Sequence, residues 1–140
     1  MKVLMMEKIP GKILGKYPAV KLPNEIHAFI LTNQCIVSVF IKKLERKISL
    51  KKLVFAFLGG AFATNIPAVL AGMEPKIEKI DLKNIEMDER TLIFPFHKIE
   101  KIYFNDWENI IRIKIDGKKY SYILNPDDYE EIKGKICGRS

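Results

Sequence analysis

The 140-residue sequence predicts a mainly β protein: a small, strongly bent antiparallel sheet or open barrel, capped by a C-terminal helix and interrupted by an apolar helical insert. Three observations lead there. Apolar runs of strand length, bounded by turn residues, occupy both halves of the chain. A segment with a helix-start signal and a helical apolar face closes it at 125–137. Between the halves, residues 53–73 (LVFAFLGGAFATNIPAVLAGM) carry no charge and are about as long as a bilayer-spanning helix. This length favours a single domain, 1–140, with 53–73 as an insert within it.

In order, residues 1–11 read as a short strand or arm closed by Pro10-Gly11. Residues 12–22 are extended but broken by Gly15 and Pro18, and Pro23-Asn24 turns the chain. Residues 26–32 (IHAFILT) and 35–42 (CIVSVFIK) are strands. Thr32-Asn33-Gln34 joins them, because Asn tolerates positive φ and Thr or Asn side chains close a turn locally. Cys35, Val37, Val39 and Ile41 alternate with Ile36, Ser38 and Phe40; with both faces largely apolar, this strand belongs at the centre of a sheet.

A basic run follows, then the apolar stretch, then Pro75 and a charged segment in which 81–87 reads as a short helix. Residues 91–96 (TLIFPF) form a strand whose Pro95 implies an edge or a bulge. Residues 98–104 are the next strand, and Asn105-Asp106 leads into 108–116, with Ile111, Ile113 and Ile115 on the buried face. Asp116-Gly117 is the strongest hairpin signal, returning through 119–124. Asn125 is placed to cap the last helix, Pro126 suits its first turn, and Asp127 and Asp128 complement its dipole. Tyr129, Ile132 and Ile136 share one face, and Gly138 ends it.

Two of these pieces resemble a known family. FILTNQCIVSVF is similar to the L-T-N-x-R-hydrophobic strand–turn–strand of bacterial and archaeal pleckstrin-homology-like, GRAM-related domains, with Cys35 where Arg or Lys is usual. LIFPFHKIEKIYF resembles that group's I-P-Y-x-x-I-x-x-I strand pair, and 110–136 resembles its closing hairpin and helix. Several members carry a Gly/Ala-rich apolar insert at the corresponding place. The terminal helix lacks the Trp of eukaryotic pleckstrin-homology domains; the one Trp here is Trp107, in a turn. The resemblance implies a non-catalytic module that binds lipids, membranes or proteins.

The apolar stretch admits three forms. A spanning helix would separate strands 26–42 from 91–124 across a bilayer and forbid one sheet, and the basic residues on both flanks oppose it. A hairpin of two short helices, broken at Asn65-Ile66-Pro67, would dip into one leaflet. Helices packed on the domain or on an identical chain would never meet lipid.

The net charge of +7 favours anionic partners. Cys35 and Cys137 lie far apart, form no CxxC pair and are not at metal-ligand spacing from His27 or His97, so no metal or cofactor is expected and the compartment reads as reducing and cytoplasmic. No nucleophile–base motif and no phosphate loop is present, and Asp127-Asp128 and Glu130-Glu131 suit a helix start and a solvated face, so no enzyme activity is expected. Lys12, Lys16 and Lys21 form one basic cluster. The favoured anion or lipid site is Lys42, Lys43, Arg46, Lys47, Lys51 and Lys52, because it adjoins the apolar stretch. Leu53, Phe55, Phe57, Leu58, Phe62, Ile66, Val69 and Leu70 are the expected membrane or oligomer contacts. The expected function is docking on a membrane surface or a protein partner. The alternatives are a soluble homo-oligomer joined through the inserts, or a weak nucleic-acid binder using Tyr120 and Tyr122 as stacking platforms.

Overall fold

Strands from both halves of the sequence pair into one sheet. The computed structural model describes residues 11–44, 62–80 and 90–138, with backbone only at 62–67. The expected N-terminal arm at 1–10 and short helix at 81–87 lie outside the described residues, as do Arg46, Lys47, Lys51, Lys52, Leu53, Phe55, Phe57 and Leu58.

The elements are β1 (Ile13–Lys21), β2 (Glu25–Thr32), β3 (Cys35–Lys43), α1 (Phe62–Glu78), β4 (Leu92–Pro95), β5 (Lys101–Asn105), β6 (Ile110–Ile115), β7 (Lys118–Leu124) and α2 (Pro126–Cys137). The strands form an antiparallel sheet in the order β4-β3-β2-β1-β7-β6-β5. The first and last strands meet at its middle, through Ala19↔Leu124, Val20↔Ile123 and Lys21↔Tyr122.

This order forces the sheet to curl. A flat seven-stranded sheet would hold its edge strands about 29 Å apart at ~4.8 Å per strand. The chain from Pro95 on one edge to Lys101 on the other spans at most about 22 Å. The curl encloses one interior. Tyr17, Phe29, Ile36, Phe94, Ile111 and Tyr122 from β1, β2, β3, β4, β6 and β7 pack there, with Ile102 and Phe104 of β5 half-buried against them. Helix α2 caps this interior with Tyr129 and Ile132, and Ile136 packs beside them, the face expected from their spacing. Asn125 takes the position before the helix with no side-chain capping bond; its carbonyl accepts the Tyr129 N–H at 2.8 Å.

Local chemistry explains the turns. The Thr32 hydroxyl accepts the N–H groups of Gln34 and Cys35 at 3.1 and 2.9 Å, closing the β2–β3 hairpin. Asp116 and Gly117 both have positive φ, 52° and 76°, as a type I′ hairpin turn requires. Gly15 does not break β1. It marks a register shift, and the Tyr17 ring lies over it so closely that a Cβ there would stand 2.6 Å from a ring carbon. Pro18 is tolerated because β7 pairs only with Ala19 to Lys21, leaving the preceding part of β1 with β2 as its one described neighbour. Pro95 ends β4 at an edge of the described sheet.

The outer face of the sheet is also apolar, and α1 covers it. Leu70 packs with Val20, Ile26, Ile110 and Ile123, while Ile77 packs with Ala28, Ile30, Val37 and Val39. Met73 touches both groups. Leu70, Met73 and Ile77 lie at helical spacing, one face of α1. Burying Leu70 and Ile77 is worth about 1.5–3 kcal/mol each. The Lys16 ammonium donates to the carbonyls of Glu78 and Ile80 at 2.8 and 2.9 Å, placing a cation on the helix C-terminus.

The break at Asn65-Ile66-Pro67, which the two-helix form would require, does not occur. The helix runs through it, and through Pro75, to Glu78. Pro67 is only the sixth residue, so it removes one bond near the start, and Pro75 removes one near the end. Packing on the sheet and the Lys16 cap offset these losses.

Candidate docking surface

The pairing register places two of the expected site residues, Lys42 and Lys43, at one end of the sheet. One row crosses it as Lys42↔Ile26↔Val20↔Ile123↔Ile110↔Asn105, from β3 to β5. Lys42 and Lys43, both exposed, end β3 in and beside this row. Lys21 and Glu25 lie beside them in register, Lys21↔Glu25↔Lys43. The chain leaving β3 is held by Asn24, whose carbonyl accepts the Leu44 N–H at 2.6 Å. Leu44 packs in the same outer cluster as Leu70. Leu44, before the segment 45–61, and Leu70, after it, thus pack on one face of one sheet.

The expected contact residues divide. Val69 is exposed on α1. Leu70, expected beside it as a membrane or oligomer contact, is fully buried against the sheet, because one residue step turns it about 100° round the helix, onto the sheet-facing side. Phe62 and Ile66 belong to α1 by backbone. The basic cluster of Lys12, Lys16 and Lys21 is not brought together. Lys12 precedes β1 and Lys21 ends it, and Lys16 is taken up by the end of α1.

Two residues join the site that sequence reasoning did not assign to it. The Arg90 guanidinium stacks over Phe40 of β3, 3.7 Å from the ring centroid, bringing a further cation, beside Lys21, Lys42 and Lys43, into contact with the same strand. Trp107, in the turn after Asn105 of the same row, is 70% exposed. A lone Trp in a polar turn was the available signal for the second. Nothing local marked Arg90, whose aromatic partner lies far back in the chain.

Behind the cationic rim runs a buried polar chain. Tyr122 Oη donates to Ser38 Oγ at 2.8 Å, Ser38 Oγ lies 2.7 Å from His27 Nδ1, and His27 Nε2 lies 2.8 Å from Glu25 Oε1. With Tyr122 donating, the Ser38 proton goes to Nδ1, so the imidazole is the Nε2–H tautomer and donates to Glu25. Burial pushes His27 below its ordinary 6.5 against the opposing pull of Glu25. Burial pushes Glu25 up, but the His27 hydrogen bond and the charges of Lys21, His27 and Arg90 outweigh it and hold the carboxylate below 4.5.

The order acid–histidine–serine is that of a nucleophilic triad, but here Ser38 and His27 are fully buried and the serine oxygen already accepts from Tyr122. The arrangement fixes a tautomer and satisfies polar groups inside the sheet. Burial also pushes the Cys35 thiol up, against its Thr32 hydrogen bond, which disfavours the reactive thiolate. No helix among the described residues is long and apolar enough to cross a membrane. Compared with known proteins, the chain matches no family model, no curated protein and no solved structure.

Proposed function

We propose that this chain is a non-enzymatic, pleckstrin-homology-like module that docks on an anionic membrane surface at the cytoplasmic face. The observation that carries the reading is the shared end of the sheet. Lys42 and Lys43, Leu44 and Leu70 packed in one outer cluster, and the exposed Trp107 all lie there. Arg46, Lys47, Lys51 and Lys52 follow Lys43 directly in the chain, and 53–61 supplies apolar residues next to them. Charge beside an apolar segment is the pairing that stable peripheral binding requires. Each Lys or Arg near an anionic surface adds about 1 kcal/mol. Trp suits the headgroup level, with an apolar body and one N–H donor.

Vesicle co-sedimentation tests this. The protein is expected to pellet with vesicles containing an anionic lipid, to stay in solution with neutral ones, and to be released by salt. Equal recovery in the supernatant with both vesicle types would refute it.

A further inference from the structure

A second feature lies at the same end, in the turn between β5 and β6. A cavity of about 330 Å³ is lined by Tyr103, Phe104, Asn105, Glu108, Ile110 and Arg112. That is the lower end of the range for small-ligand sites. Asn105, one of the lining residues, organises the turn. Its side-chain oxygen accepts the N–H groups of Trp107 and Glu108 at 3.0 and 3.1 Å, and its amide donates to Glu108 Oε1 at 2.7 Å. Glu108 is thereby locked in place, 7% exposed. Its second oxygen, Oε2, is buried with no donor among the described residues. A buried acceptor left so is costly, and because Glu108 lines the cavity, a donor that reaches Oε2 through that wall recovers the cost.

Arg112 faces the same space with the opposite charge. It stands opposite Tyr103 in the β5–β6 ladder, and alternation along β6 puts it on the face away from Ile111 and Ile113. Its Nε donates to Ser121 Oγ at 3.0 Å, and it forms no ion pair with Glu108 or any other carboxylate among the described residues. One cavity thus holds an acid and a base that do not meet. A ligand that satisfies both carries a positive donor and a negative acceptor within a few bonds of each other.

We propose that this cavity binds a small zwitterion, with a primary ammonium on Glu108 and a carboxylate or phosphate on Arg112, against the Tyr103 ring. Two sources present that chemistry: a free amino acid or aminoalkyl phosphate, and the headgroup of an aminophospholipid. The lipid source rests on the membrane reading above; the site itself does not.

Trp107 is the single tryptophan and adjoins Glu108, so its emission reports on the cavity. Soluble probes are L-serine and phosphoethanolamine, with ethylamine and acetate as half-ligands. The zwitterions are expected to change the emission saturably and to raise the melting temperature, the half-ligands to do neither. Glu108→Gln and Arg112→Gln should each weaken binding about tenfold, one charge-assisted hydrogen bond. Should one variant fail to fold, the other reads the same site. The vesicle arm compares phosphatidylserine with phosphatidylglycerol at equal charge. A preference for phosphatidylserine that Glu108→Gln abolishes assigns the headgroup, and no preference, with the soluble response intact, assigns the free molecule. The absence of any saturable response up to about 10 mM, together with equal binding to the two lipids, overturns the proposal. So does an ethylamine response equal to that of serine.

Discussion

Replacing Ser38 with alanine removes the middle link of the Tyr122–Ser38–His27–Glu25 chain. The hydroxyl makes two bonds, at 2.8 and 2.7 Å, among side chains that are fully buried on both sides of it. Its loss leaves the Tyr122 O–H and the His27 Nδ1 without partners, at about 1–3 kcal/mol each. The expected destabilisation is about 2–6 kcal/mol, a large share of a typical folding free energy. For a domain of this size that lowers the melting temperature by roughly 10 °C. Tyr122→Phe alone leaves only a spare lone pair on Ser38 and is expected to cost about 1 kcal/mol. In the double variant one orphan is gone, so the combined loss should fall short of the sum by about 1 kcal/mol. Urea denaturation of the four proteins measures this. A Ser38→Ala loss within about 0.5 kcal/mol, or strict additivity, would refute the network.

Other outcomes follow from the same structure. Burial holds His27 below 6.5, so the unfolded chain takes up that proton more readily. Stability is therefore full above pH 6.5 and is lost as pH falls below it, with Glu25 adding a further loss below 4.5; melting curves from pH 8 to 4 should show the fall, and His27→Gln should flatten its upper part. Asp128 is pushed up to about 6 by burial and by the charges of Glu74, Glu131 and Asp127. A shift of about 2 units is nominally ~3 kcal/mol, cut to about 1 by solvent screening and the helix dipole. Asp128→Asn should thus stabilise by about 1 kcal/mol at pH 7, with the gain lost on acidification below 3.8, where unfolded Asp is also protonated. Lys16→Met removes the bonds to the Glu78 and Ile80 carbonyls and should speed hydrogen exchange in α1 about tenfold, leaving β6 and β7 unchanged. Lys42→Glu with Lys43→Glu should weaken binding to anionic vesicles by at least about thirtyfold, two charges at about 1 kcal/mol each; unchanged co-sedimentation would move the docking surface elsewhere.

What was legible in the sequence was local. Asp116-Gly117, the alternation in 35–42 and the Tyr129–Ile132–Ile136 spacing each carry their structure within a few residues, and all three appear as expected. The apolar stretch was legible as an insert that could not separate two halves of one sheet. Its internal form was not. Asn65 and Pro67 signal a helix start by local rules, but the outer face of the sheet supplies a partner for Leu70, Met73 and Ile77 that the segment alone does not reveal. The same holds for Gly15 and Pro18, which look like breaks until Tyr17 folds over the first and β7 stops short of the second. The site divided along the same line. Lys42 and Lys43 were visible as charge beside apolar sequence. Arg90 and the polar chain behind Glu25 needed strands brought together from distant parts of the chain, whereas Glu108 and Asn105 lie three residues apart, and only the geometry of their turn reveals the unpartnered oxygen.

The account depends on the insert coming back to the face it left, with Leu70 seated on strands from both halves of the sequence. Methyl–methyl nuclear Overhauser effects in protein purified without detergent measure this directly. Cross-peaks from Leu70 to Val20, Ile110 and Ile123 are the expected result. A Leu70 methyl that shows none of them, and contacts only added lipid or detergent, would contradict it.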